Sequence, residues 1–243
     1  MGDMESIRGK VALVTGGSRG IGLAIARALV AEGVSVSVTG LRDASLSAAR
    51  SQIESAGPAA VETLRADVRR YEDIARAIEA TVGRFGGLDI LVNNAGVGIF
   101  SDVAAMTPAQ WSEIIDTNLT GVFNACHAAI PHLRRRGGGS IINISSLSGT
   151  NPFAHGAAYC ASKAGLNAFS ESLMQELRYD DIRVSYVMPG SVATEFAQGD
   201  PAKGADWKVA PAEVAEVVIN LLRHPARSLP SRVEIRPTKP VKK

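Results

Sequence analysis

Lys10-Val-Ala-Leu-Val-Thr-Gly-Gly-Ser-Arg-Gly-Ile-Gly22 is an apolar run rich in β-branched residues that breaks into glycines and passes into a helical pattern ending near Glu32. Strand, glycine turn and helix in that order open a βα unit. Glycine lets the backbone turn tightly and come close to a pyrophosphate. The following helix N-terminus offers free N–H groups and the positive end of its dipole to the same group. A glycine cluster alone is an ordinary turn, but one that opens the first βα unit points to dinucleotide binding. Gly16, Ser18, Arg19, Gly20, Ile21 and Gly22 are therefore expected to face the ligand.

Further runs read as strands at residues 34–39, 59–66, 88–92, 140–145, 182–188 and 232–235, alternating with helical patterns at 44–56, from about 71, at 108–135, 157–178 and 212–222. Strands that alternate with helices predict an α/β chain built on a parallel sheet. The composition agrees: 46% hydrophobic but only 5% aromatic, the apolar share being mostly Ala, Val, Ile and Leu, as strands covered on both faces require. At 243 residues one large domain over 9–236 is expected, with a flexible N-terminus at 1–8 and a basic, disordered tail at 237–243. A net charge of +2 gives no basic face for nucleic acid. Two cysteines make no disulfide framework and no zinc-like spacing, so no metal is expected and a reducing, cytoplasmic setting is. No apolar run is long enough for a membrane span. Residues 1–6 match a loose myristoylation pattern, which is set aside in favour of a flexible terminus.

The second strand ends in Thr39-Gly40-Leu41-Arg42. An acid at that point would hold a ribose 2′-hydroxyl, whereas an arginine accommodates a 2′-phosphate. Arg42, with Arg19 in the glycine turn, favours NADP(H), and NAD(H) is the weaker alternative; Asp43 either turns inward or caps the next helix. Asp67, followed by Val68, accepts from an adenine amino group or caps the helix near Tyr71, and the sequence leaves both open. Asn93-Asn94-Ala95-Gly96 after the fourth strand is either a turn or part of the ligand crevice where a doubly wound sheet reverses. Pro189, Gly190, Val192 and Thr194 follow the sixth strand and can cover a nicotinamide. Residues 195–210, rich in Gly, Pro and polar side chains, read as a short mobile lid.

Ser146 to Lys163 carries the chemistry. Tyr159 and Lys163 are four apart and share one helix face. A phenol titrates near pH ~10, and a neighbouring ammonium brings it toward the working range. Ser146 stands before a loop rich in Gly, Asn and Pro that can return its hydroxyl to Tyr159, and strand alternation allows only one of Ser145 and Ser146 to point there. Tyr-x-x-x-Lys by itself is an ordinary helix-surface pair; its setting is what gives it weight. Asn118, unfavourable in mid-helix, marks either a kink or an amide offered to a water chain toward Lys163.

Taken together, Thr15-Gly-Gly-Ser-Arg-Gly-Ile-Gly22, Asn93-Asn-Ala-Gly96, Asn118, Ser146, Tyr159-x-x-x-Lys163 and Pro189-Gly190 resemble the short-chain dehydrogenase/reductases of the cofactor-first type. The match runs from about residue 8 to 236. It implies a Rossmann-type doubly wound sheet of seven parallel strands in the order 3-2-1-4-5-6-7, with helices on both faces. It also implies a catalytic tetrad of Asn118, Ser146, Tyr159 and Lys163, with Tyr159 and Lys163 touching the cofactor as well. The implied reaction is hydride transfer between NADP(H) and a small-molecule carbonyl or alcohol. A homodimer or homotetramer built on the helices bearing Asn118 and Tyr159 is implied too. Much of the chain is similar to 3-oxoacyl-thioester reductases, but Val233-Glu-Ile-Arg-Pro237 replaces their usual final Gly-Gly turn, which suits reduction of another small ketone or oxidation of a 3-hydroxy acid or alcohol. A dinucleotide sensor without chemistry is the remaining class; an intact tetrad speaks against it.

His155, in the loop before Tyr159, reads as a solvated loop histidine sooner than a substrate contact; His127, His132 and His224 show no partner spacing, Cys160 projects away from Tyr159 on its helix, and Trp207 in the lid is a better pocket candidate than Trp111.

Overall fold

The computed structural model describes residues 5–240. Its strands are β1 (Val11–Val14), β2 (Ser35–Gly40), β3 (Val61–Arg65), β4 (Ile90–Asn93), β5 (Gly139–Ile144), β6 (Ile182–Pro189) and β7 (Arg232–Ile235). The helices are α1 (Gly20–Ala31), α2 (Asp43–Glu54), α3 (Tyr71–Phe85), α4 (Pro108–Ile115), α5 (Gly121–Arg135), α6 (Ala157–Leu177) and α7 (Pro211–Leu222). All strand pairs are parallel, in the order β3-β2-β1-β4-β5-β6-β7. The chain is therefore one Rossmann-type domain of the expected winding.

Both faces of the sheet are covered, which is why its central strands read as unbroken apolar runs. On one face Ile25 and Leu29 of α1, Leu46 and Ile53 of α2, and Val214 and Val218 of α7 pack against Val14, Val36 and Val38. On the other, Ile74 and Ile78 of α3, Val122 and Leu133 of α5, and Leu166 and Leu173 of α6 meet Leu13, Leu91 and Ile141. Among the described residues no helix is long and apolar enough to cross a membrane.

The expected interruption of the 108–135 helix is a π-helical turn, Asp116–Thr120, which joins α4 to α5 and carries Asn118. A single wide turn of this kind rotates the following residues and often lies at a functional site. Thr107 caps α4 through a reciprocal capping box with Gln110, so this end needs no tertiary help.

Three local expectations change. Helix α2 begins at Asp43 itself, with Arg42 in the cap position and no side-chain cap bond; Asp43 is exposed and lies 3.8 Å from Arg65 at the end of β3. Of the segment read as a flexible N-terminus, positions 1–4 lie outside the described residues, but Ile7 is buried and the Glu5 N–H donates to the Arg223 carbonyl at 2.8 Å. Of the segment read as a tail, 241–243 lie outside the described residues, while Pro237 and Pro240 line the main cleft.

Candidate active site

Winding reverses between β1 and β4, so the connections that leave their carboxyl ends diverge and leave a crevice. A cleft of about 1080 Å³ opens there. On its β1 side lie Gly16, Ser18, Arg19, Gly20 and Ile21; on its β4 side, Asn94, Ala95 and Gly96. Arg42, Asp67 and Val68 close one end, Ser146, Tyr159 and Lys163 the other, and Pro189, Gly190, Val192 and Thr194 line it after β6.

Gly22 and Asn118 are the two expected site residues that do not line the cleft. Gly22 instead makes the turn possible: a Cβ there would lie 2.5 Å from the Gly16 carbonyl and collide with the Asn94 amide. Gly16, at φ +64°, would bring a Cβ within 2.8 Å of the Ala95 Cα. Asn94 spans the two sides, its Nδ2 donating to the Thr15 and Gly16 carbonyls at 3.0 Å each. Thr15 returns the contact, its Oγ1 accepting from the Asn94 and Ala95 N–H groups. The Asn94 Nδ2 thus anchors the glycine turn, and the residue still lines the cleft.

The turn suits an anion. Arg19 stands in the N-cap position of α1 without any side-chain cap bond, and the first turn holds no acid, so the helix presents its leading N–H groups to the cleft. Arg19 reaches across the cleft to Glu195, Nη1 to Oε2 at 3.1 Å. Of the two readings the sequence left open for Asp67, the helix cap is the one the structure contradicts. Its carboxylate accepts from the Arg69 guanidinium at 2.6 to 3.0 Å and from the Arg69 N–H at 3.0 Å, which holds it below the usual carboxylate range. It does not cap α3, whose cap position is Arg70. It still lines the cleft, as a carboxylate fixed in place.

At the other end Tyr159 is buried among aromatic rings, and Lys163 lies below it, with Nζ 5.9 Å from the ring centroid. Burial pushes the Tyr159 phenol above the ordinary tyrosine range, with the Ser146 hydroxyl opposing this. The expected lowering by Lys163 does not appear, because the ammonium is turned to the Ile144 carbonyl, to which it donates at 2.9 Å. Ser145 and Ser146 diverge as strand alternation requires. Ser145 bonds to Asn167 on α6, while Ser146 caps the short turn Leu147–Gly149 by accepting from the Ser148 N–H at 3.1 Å. Asn118 is 0% exposed, its Oδ1 accepting from the Val97 N–H and its Nδ2 donating to the Val97 carbonyl and Ser162 Oγ. Its amide therefore clamps the β4 loop onto α6 and does not face the cleft.

Burial draws the Lys163 ammonium down to about 8. Its folded-state pKa lies below the ordinary lysine value of 10.5, so between pH 8 and 10.5 the unfolded chain binds the extra proton and stability rises with pH. Lys163→Met should flatten that slope. At pH 7 it should also stabilise the fold by about 2 kcal/mol, the relieved desolvation less one lost hydrogen bond. Urea midpoints of both proteins at pH 7 and pH 10 check this, and a lower midpoint for the variant at pH 7 would contradict it.

Sequence reasoning missed Thr15, Arg69, Glu195 and the rings Phe100, Phe153 and Phe196 around the cleft. Phe196 and Glu195 lay in the expected lid, but nothing in the sequence says which residue the lid brings inward.

The short chain dehydrogenase family model matches residues 10–204. An acetoacetyl-CoA reductase of Paracoccus denitrificans is 41% identical over 191 residues, 78% of this chain and 76% of the relative. An alcohol dehydrogenase from the archaeon Thermococcus sibiricus, complexed with 5-hydroxy-NADP, superposes with a TM-score of 0.90 at 28% identity, over 96% of this chain and 99% of that one. A metagenomic short-chain oxidoreductase in complex with NADP gives 0.84 at 39% identity, over 97% of this chain and all of that one. With the sheet order and the cleft at its reversal, these matches make the chain a member of the short chain dehydrogenase family of oxidoreductases.

Proposed function

We propose that this protein is an NADP(H)-dependent carbonyl reductase that converts a small ketone to a secondary alcohol. The observation that carries this reading is a single cleft with an uncapped glycine turn at one end and Tyr159, Ser146 and Lys163 at the other. Gly16, Ser18, Gly20 and Ile21 would hold the pyrophosphate, Arg42 and Arg19 a 2′-phosphate, and Asp67 and Val68 the adenine. Ala95, Gly96, Pro189, Gly190, Val192 and Thr194 would flank the nicotinamide half. The two NADP-type complexes among the structural neighbours support the choice of cofactor.

Bound there, a reduced nicotinamide supplies a hydride, and the protein supplies the proton and the positioning. Tyr159, held protonated by its burial, is the proton donor to the carbonyl oxygen, and Ser146 hydrogen-bonds that oxygen. Lys163 places a positive charge under the phenol and faces the ribose side. Asn118 is a positioning residue, holding the β4 loop against α6. Residues 195–210 act as the lid, and the exposed Trp111, Phe123 and Tyr71 on α4, α5 and α3 offer a self-association face for a dimer or tetramer.

Titration of NADPH and NADH into the protein, followed by NADPH oxidation with a ketone panel, tests the reading. Tight binding without turnover of any carbonyl would favour a sensor instead. The choice of phosphate is tested by Arg42→Ala, which should weaken NADPH by about tenfold, the loss of one charge-assisted contact, and leave NADH within twofold. Equal losses for both cofactors would remove Arg42 from that role.

A further inference from the structure

Two of the chain's six phenylalanines flank Tyr159 and a third stands against one of them, although all three come from separate segments. Phe100 follows β4, Phe153 precedes α6 and Phe196 opens the lid. Phe100 stands edge-on to Tyr159 with centroids 5.6 Å apart and an interplanar angle of 87°, and Phe153 stands against Phe100 at 5.5 Å. Phe196 closes the other side of Tyr159 at 5.6 Å. Tyr159 itself is buried, whereas Phe100, Phe153 and Phe196 remain 45%, 44% and 39% exposed. So much bare ring surface beside a reacting hydroxyl is surface that an apolar ligand would cover.

The rings are braced. A Cβ at Gly98 would lie 2.7 Å from the Phe196 ring, and one at Gly156 would lie 2.6 Å from the Phe153 ring, so each ring rests on bare backbone. Two polar groups near the rings are paired: His155 Nδ1 lies 2.9 Å from Asp102, and Glu195 lies 3.1 Å from Arg19. An amide laid against these rings would have no hydrogen-bond partner on them, and a buried amide without a partner is costly.

We infer that this mouth selects a ketone whose carbonyl carbon bears an aryl or similarly flat apolar substituent. The inference rests on the carbonyl-reductase reading above. In the balanced step, ketone, NADPH and a proton give the secondary alcohol and NADP⁺. A hydride with its electron pair forms the new C–H bond as the carbonyl π bond breaks. The oxygen takes the Tyr159 proton, which solvent replaces; the ketone is reduced and the nicotinamide oxidised.

The test measures kcat/KM with NADPH for acetophenone, butanone and an acetoacetyl thioester, together with calorimetric binding of 1-phenylethanol and 2-butanol. Acetophenone should exceed butanone by at least about thirtyfold, and 1-phenylethanol should bind correspondingly tighter. Phe100→Ala and Phe196→Ala should each cut the acetophenone-to-butanone ratio by about tenfold, a ratio that partial misfolding does not move. Turnover of all three carbonyls with no aryl preference, or a preference for the thioester, overturns this inference and leaves the reductase reading standing. Absence of any carbonyl turnover overturns both. A ratio unchanged in both variants also overturns it.

Discussion

Tyr159→Phe is expected to lower kcat for ketone reduction by about 10³-fold, within the range found for loss of a general acid or base. The substitution removes one oxygen and leaves the ring. That ring is what packs against Phe100 and Phe196, so the pocket wall is preserved. Burial raises the phenol pKa, so the hydroxyl lies in poorly solvated surroundings, and a phenylalanine there removes a buried polar group at the loss of one partner, the Ser146 hydroxyl. Folding stability should therefore hold or rise slightly. Cofactor affinity should stay within about twofold, since the glycine turn and Arg42 stand at the far end of the cleft. A variant that binds NADPH normally and turns over at the wild-type rate would remove Tyr159 from the chemistry. One that loses both functions would show a folding defect, to be separated by its urea midpoint.

Asp89→Ala should produce the largest loss of stability, about 3 kcal/mol, with little effect on turnover per folded molecule. Asp89 precedes β4 at the amino ends of the strands, the opposite end of the sheet from the cleft. It is 5% exposed. Its Oδ2 accepts from the Val11 N–H at 2.8 Å, and its two oxygens take Arg136 Nε and Nη2 at 3.1 and 3.2 Å. Its own backbone also bonds to Val11 and Ser140. One carboxylate thus ties β1, β4 and the end of α5. Alanine would strand a buried N–H and leave a half-buried guanidinium without its partner. Asp89→Asn keeps an acceptor for Val11 but loses the charge and should recover roughly half of the loss. Urea unfolding at fixed protein concentration reads both variants. Midpoints equal to wild type would mean that water replaces the carboxylate.

Much of the cleft was legible because its signals are local. The glycine turn is a statement about backbone sterics, and Gly16 and Gly22 now have named atoms where a Cβ would stand. Tyr159 and Lys163 share a face because helix spacing demands it. Ser145 and Ser146 face opposite ways because strands alternate. The limits of that legibility are equally physical. Asn118 reads in the sequence as either a kink or an amide offered to a water chain; it does sit in a π-helical turn, but the sequence does not reveal that Val97 and Ser162 satisfy both ends of its amide. Asp67 was weighed between adenine and helix cap, while Arg69, two residues on, captures it.

The amino-acid sequence by itself determined the order of strands and helices, the βα unit that opens the domain and the residue types in the reactive region, since periodicity, turn chemistry and helix spacing act over a few residues. Only the tertiary structure decided which way each polar side chain is satisfied and how Phe100, backed by Phe153, and Phe196 flank Tyr159. It also decided that Arg19 crosses to Glu195, 176 residues along the chain. Those outcomes depend on packing between segments distant in sequence, where a side chain's direction is set by its neighbours across the cleft and not by its neighbours along the chain.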